Sequence, residues 1–204
     1  MTAVPIDTPH GPARAHLRLA EAPVGAVVLG HGAGGGVGAP DLVVAADVAS
    51  AAGCSVALVE QPYRVAGRRS PAPAHQLDAA WTAVVVHLCA TQLRDLPLVV
   101  GGRSSGARVA CRTAAATGAT AVLCLAFPVH PPGRPDKSRQ SELDAVSVPT
   151  LVVQGEADPF GMPTAGRNRT VATVAGNHSL RSDRDAIAAA IGDWLPAVLS
   201  VARR

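Results

Sequence analysis

One serine in this chain has glycine two residues away on both sides, in Val99-Val100-Gly101-Gly102-Arg103-Ser104-Ser105-Gly106-Ala107. An apolar run precedes it and an Ala/Val-rich helical pattern follows. Gly-x-Ser-x-Gly in that context is a nucleophile elbow. The strand turns abruptly into a helix, the central residue is strained, and its hydroxyl is raised above the sheet edge. Ser105 lacks the glycine spacing, so Ser104 is the candidate nucleophile. The amide of Ser105, at the helix N-terminus, is a candidate oxyanion donor.

A serine nucleophile needs a base, and the base needs an acid to orient it. Thr150-Leu151-Val152-Val153-Gln154-Gly155-Glu156-Ala157-Asp158 reads as a strand, a glycine turn and two acids, with Asp158 the orienting acid and Glu156 the fallback. Val171–Val174 leads to Ala175-Gly176-Asn177-His178-Ser179, a histidine on a flexible turn. Of the seven histidines, His178 alone follows both Ser104 and Asp158. Ser…Asp…His at the ends of successive strands is the order expected of a hydrolase triad on a parallel sheet.

Gly30-His31-Gly32-Ala33-Gly34-Gly35-Gly36 follows the run Ala26–Leu29. Such a turn aims backbone N–H groups into the cleft, and Ala33, with Gly34 next, is the candidate second oxyanion donor. His31 is read as stabilising this loop rather than as a base. Gly30, Gly32 and Gly35 also satisfy G-x-G-x-x-G, and Glu60 ends the next strand where a ribose-binding acid would lie. Against nucleotide binding, the Ser104 elbow has no role in a dinucleotide fold and no second mononucleotide half is recognisable. Glu60-Gln61-Pro62-Tyr63-Arg64, with Gly67-Arg68-Arg69, forms a loop at the same edge. Tyr63 is the chain's one tyrosine. The arginines either recognise an anionic group or, the favoured reading, pair with helix carboxylates such as Asp78. His31, Gly32, Tyr63, Arg64, Arg103 and His130 are the candidate substrate contacts. His130 is read as ending its own strand and bordering the pocket.

The 204 residues suit one domain over 1–204, and with 48% hydrophobic but only 2% aromatic residues the core must be built from Ala, Val and Leu. A net charge of +3 without a long basic stretch argues against a nucleic-acid partner. The N-terminus shows neither a basic nor an apolar leader region, and no window approaches eighteen uninterrupted apolar residues. No membrane association and a cytoplasmic location are therefore expected. Cys54, Cys89, Cys111 and Cys124 lack C-x-x-C spacing, sit inside apolar segments and read as reduced, buried cysteines. No metal and no organic cofactor are expected.

Arg14–Leu19 alternates with period two and reads as an edge strand, and short apolar runs at Ala26–Leu29, Val56–Val59, Leu98–Val100, Ala121–Ala126, Thr150–Val153 and Thr170–Val174 read as strands buried on both faces. They alternate with helical patterns at Asp41–Ala52, Ala74–Leu93, Ser105–Thr117 and Ser182–Val201, the last capped by Ser182 or Asp183. This predicts an α/β class: a doubly wound, mostly parallel sheet of six to seven strands with right-handed crossovers. Ligands of such sheets bind beyond the carboxyl ends of the strands, where every candidate site residue falls.

Together His31-Gly32-Ala33-Gly34, Pro62-Tyr63-Arg64 with Gly67-Arg68-Arg69, Gly101-Gly102-Arg103-Ser104, Gly155–Asp158 and Asn177-His178-Ser179 resemble the α/β-hydrolase superfamily. The likeness is to its small, lidless, dienelactone-hydrolase-like branch, which is similar to the hydrolase-like domain in a subunit of a histone acetyltransferase complex. It spans nearly the whole chain. Two departures stand out. About two dozen residues precede the glycine loop, which implies N-terminal strands truncated to one, and about two dozen separate Ala126 from Thr150, too few for a lid domain. The resemblance implies a serine hydrolase that cleaves a small ester, thioester or related acyl substrate through an acyl-enzyme, in unknown oligomeric state. A hydrolase-fold interaction module without turnover is the alternative.

Overall fold

The computed structural model describes residues 2–202. Strands are β1 (Thr2–Ile6), β2 (Ala13–Arg18), β3 (Ala26–Gly30), β4 (Ser55–Glu60), β5 (Leu98–Arg103), β6 (Ala121–Leu125), β7 (Thr150–Gly155) and β8 (Arg169–Val174). Helices are α1 (Pro40–Ala51), α2 (Pro62–Val65), α3 (Ala74–Ala90), α4 (Ser105–Thr113), α5 (Gln140–Asp144) and α6 (Arg184–Val201). The strands form an eight-stranded sheet in the order β1-β2-β4-β3-β5-β6-β7-β8. β2 runs antiparallel to β1 and β4, and the other neighbours are parallel.

The doubly wound α/β class holds, with one strand more than the upper expectation. The N-terminus is not truncated to one strand, because Thr2–Ile6 pairs with Ala13–Leu17, and β2 is therefore not the edge strand its alternation predicts but lies between β1 and β4. Pro5 and a mostly exposed pattern hide β1 in the sequence. Proline removes a ladder donor and is tolerated there because β1 lies at the sheet edge.

β3, β6 and β7 are buried along their whole length, as strands covered on both faces require. On one face Trp81 and Leu88 of α3, Val109 and Ala110 of α4 and Leu143 of α5 pack against Val28, Val100 and Val122. On the other, Leu42 and Ala46 of α1 and Ile187, Ile191 and Leu195 of α6 cover Val27, Val99 and Leu151. Asp183 caps α6, its side chain accepting the Ala186 N–H at 2.9 Å. Between β6 and β7 the helix is the five-residue α5, so no lid domain sits above the sheet. The carboxyl ends of β3, β5, β7 and β8 all open on one edge, and each leads within a few residues to a candidate site residue.

Candidate active site

Ser104 occupies the turn between β5 and α4 at φ 53°, ψ −110°, a region that non-glycine residues adopt only under constraint. Its N–H donates to the Leu125 carbonyl of β6 at 2.9 Å, which pins the turn to the neighbouring strand. The flanking glycines are dictated by β3. A Cβ at Gly102 would lie 2.4 Å from the Gly30 carbonyl oxygen, and so would one at Gly106. Both glycines let α4 begin directly over the end of β3.

The loops after β7 and β8 deliver Asp158 and His178 to that turn. Ser104 Oγ donates to His178 Nε2 at 2.9 Å, and His178 Nδ1 donates to Asp158 Oδ2 at 2.8 Å. A carboxylate only accepts, so Nδ1 carries a proton, and in the neutral ring that leaves the Nε2 lone pair for the hydroxyl. The Asp158 side chain is wholly buried. Its Oδ1 accepts the Phe160 N–H at 2.8 Å, and its Oδ2 also accepts Gln154 Nε2 at 2.9 Å. The same Nε2 faces the carbonyls of Phe127 and Gly161, so every neighbour of that group is an acceptor and the amide orientation is fixed. The Phe160 ring lies against the imidazole of His178, with centroids 4.1 Å apart.

The glycine loop after β3 completes the cleft. His31 is buried, its Nδ1 donating to the Gly32 carbonyl at 2.8 Å while Nε2 accepts the Gln61 N–H at 3.1 Å. Burial lowers its pKa below the ordinary 6.5, against the raising effect of the Gly32 carbonyl, so the ring is neutral. Tyr63 stands edge-on to His31 and donates its hydroxyl to the Ala33 carbonyl at 2.8 Å. These bonds tie the Gly32 and Ala33 carbonyls to the side chains of His31 and Tyr63. Ser105 opens α4, where first-turn N–H groups have no intrahelical acceptor.

A profile of the family described as alpha/beta hydrolase domain matches residues 23–186. The chain belongs to the α/β-hydrolase family. A search of curated proteins finds no significant match. Among solved structures, a lidless α/β serine hydrolase from Xanthomonas campestris is 24% identical, with a TM-score of 0.73 over 96% of this chain and 95% of that one. Dienelactone hydrolase from Anabaena variabilis is 19% identical, with a TM-score of 0.75 over 96% of each chain. Est1E from Butyrivibrio proteoclasticus is 14% identical, with a TM-score of 0.80 over 98% of this chain and 100% of that one. At these identities the likeness is one of fold.

Several candidate residues of this α/β hydrolase lie where their sequence positions did not indicate. Arg103 is not free to meet a substrate: its Nε lies 2.8 Å from Asp41 Oδ2 and its Nη2 donates to the His178 carbonyl at 2.8 Å. Arg64 turns back on its own loop and donates to the Arg68 carbonyl at 3.3 Å. Asp78 pairs with Arg112 of α4 at 2.6 Å rather than with the loop arginines. Tyr63 lines a hollow of about 250 Å³ with Gln61, Arg68 and Gln76, and that lining includes none of Ser104, Asp158 and His178. His130 lies in the loop five residues beyond β6, its Nδ1 donating to the Pro131 carbonyl at 2.9 Å. It packs on Gly161 beside the Asp158 loop. Glu156 is exposed.

The nucleotide reading loses its geometry. Residues 31–39 separate β3 from α1, so the glycines do not open onto a helix N-terminus, and Glu60 pairs with His16 at 2.9 Å. Among the described residues, no group of three or more His, Cys, Asp or Glu is placed to hold a metal ion, and no helix is long and apolar enough to cross a membrane. Cys111 and Cys124 are buried free thiols, and Cys54 is buried too, whereas Cys89 is a free thiol only half-buried on α3.

Sequence reasoning missed Gln154, Phe160 and Asp41. Gln154 did leave a signal, an amide directly after the apolar run Leu151–Val153 of a fully buried strand. Such a group must be hydrogen-bonded, and what it bonds is the site.

Proposed function

We propose that this α/β hydrolase is a serine hydrolase that cleaves a small ester, thioester or related acyl compound through an acyl-enzyme. The observation that carries the proposal is the unbroken relay of Ser104 Oγ, His178 and Asp158, with contacts of 2.9 Å and 2.8 Å at a strained elbow.

As Ser104 Oγ attacks the acyl carbonyl, its proton passes to His178 Nε2. The imidazolium so formed is stabilised by Asp158, which keeps the Nδ1 proton in place. The carbonyl oxygen becomes an oxyanion and is met by the N–H groups of Ser105 and Ala33. Gly32 lies close enough to the nucleophile, 3.6 Å from Ser104 Cβ to a Cβ built on it, for the loop to serve in this way. His178 then returns the proton to the leaving alcohol or thiol. Water, activated by the same nitrogen, attacks the acyl-serine, and collapse of the second tetrahedral species frees the acid and restores the Ser104 hydroxyl. The absence of a lid domain leaves the nucleophile open to small soluble acyl compounds without interfacial activation.

The test is hydrolysis of p-nitrophenyl acetate and butyrate by the wild type and by Ser104→Ala. A loss of about a thousandfold or more is expected. Undiminished hydrolysis by the variant would refute the assignment.

A further inference from the structure

We infer that Arg103 is the positioning residue of this site: anchored by Asp41, its guanidinium ties the His178 loop to the nucleophile elbow and to the glycine loop. This rests on the Ser104–His178–Asp158 reading and adds to it what holds three separate loops in register.

Arg103 immediately precedes the nucleophile, at the last position of β5. Its Nη2 donates to the backbone carbonyl of His178 at 2.8 Å, which joins the residue before the nucleophile to the residue that would deprotonate it, across 75 positions of sequence. A Cβ built on Gly32 would lie 3.0 Å from Arg103 Nη1, so the glycine loop closes directly on the guanidinium. A planar fork with five donors can bond on several edges at once, which an ammonium cannot.

The anchor lies at the start of α1. The Asp41 side chain is wholly buried, and its Oδ1 accepts the Leu42 N–H at 3.0 Å. Oδ2 lies 2.8 Å from Arg103 Nε, a close ion pair. Burial raises the Asp41 pKa and Arg103 counters it. An ionised carboxylate without water is a costly feature unless a cation neutralises it, and a buried pair is a poor source of stability in itself. The geometry accounts for the pair another way. Asp41 fixes the Arg103 side chain, and Arg103 Nη2 donates to the loop that carries His178.

Three proteins test this: wild type, Arg103→Met, and the double variant Asp41→Asn with Arg103→Met. The double variant leaves no unpaired buried charge, so it keeps the fold even where Arg103→Met alone does not. The first readout is the downfield proton resonance of His178 Nδ1–H, recorded in each protein and again with Ser104→Ala added, so that it needs no turnover. It is expected in wild type and broadened or lost in the double variant. The second is p-nitrophenyl butyrate hydrolysis, where kcat falls about a hundredfold with KM little changed, as a misplaced base requires. Arg103→Lys recovers only part of kcat. An unchanged resonance and an unchanged kcat in the folded double variant would overturn the inference, as would a change confined to KM, the mark of a substrate-binding arginine. Wild type that shows the resonance but no hydrolysis sinks the hydrolase reading. The resonance in the variants still decides whether Arg103 positions His178.

Discussion

The backbone N–H of Gln61 donates to Nε2 of His31, which fixes this buried imidazole as the neutral, Nδ1-protonated tautomer. The bond joins the loop after β4 to the glycine loop after β3, and it exists only while Nε2 is unprotonated.

Stability should therefore depend on pH through His31. Burial holds its folded-state pKa below 6.5, the value of the unfolded chain. Below pH 6.5 the unfolded chain takes up a proton that the folded ring refuses, so folding stability is complete above that pH and is lost progressively as pH falls beneath it. His31→Gln, which can both donate to Gly32 and accept from Gln61, should flatten this acid limb. Melting temperatures between pH 7.5 and 5 check it. An equally steep limb in the variant would assign the effect to other groups.

The elbow glycines give a steric prediction. Gly106→Ala places a methyl group 2.4 Å from the Gly30 carbonyl oxygen and 2.8 Å from that of His31, both backbone atoms that cannot swing away. It should cost about 1–3 kcal/mol through overpacking and abolish hydrolysis by lifting α4 off β3. Gly34→Ala, whose new Cβ would meet nothing within 4 Å, should change stability by less than about 0.5 kcal/mol. Denaturant melts of the two variants separate the outcomes.

Gln154→Leu removes the donor that the buried Asp158 carboxylate and the Phe127 and Gly161 carbonyls share. Leaving such acceptors unpaired should cost about 1–3 kcal/mol, seen as a melting point lower by several degrees. Because Asp158 is no longer held, kcat should fall while KM changes little. A variant with wild-type kcat would mean that the Phe160 N–H alone suffices to orient the carboxylate.

The order of elements and the three distant side chains were legible because each follows an apolar run ended by glycine, the pattern of a buried parallel strand reaching a sheet edge. Ser104, Asp158 and His178 meet because parallel strands place all their carboxyl ends together, a consequence of topology rather than of local sequence. Partner choice was not legible. Arg103 read as a substrate contact beside the nucleophile because its partner Asp41 lies 62 positions earlier and is buried only once α1 packs on the sheet. β1 escaped notice because an edge strand carries no buried pattern to read. α2 and α5, of four and five residues, are too short to show a helical period.

The most direct measurement of the central claim is the intact mass and peptide map of the wild-type protein after exposure to a fluorophosphonate probe. A single covalent adduct on Ser104, absent from Ser104→Ala and strongly slowed in His178→Ala, is the predicted result. A folded wild-type protein that takes up no probe, or that carries the adduct on another residue, would contradict the account.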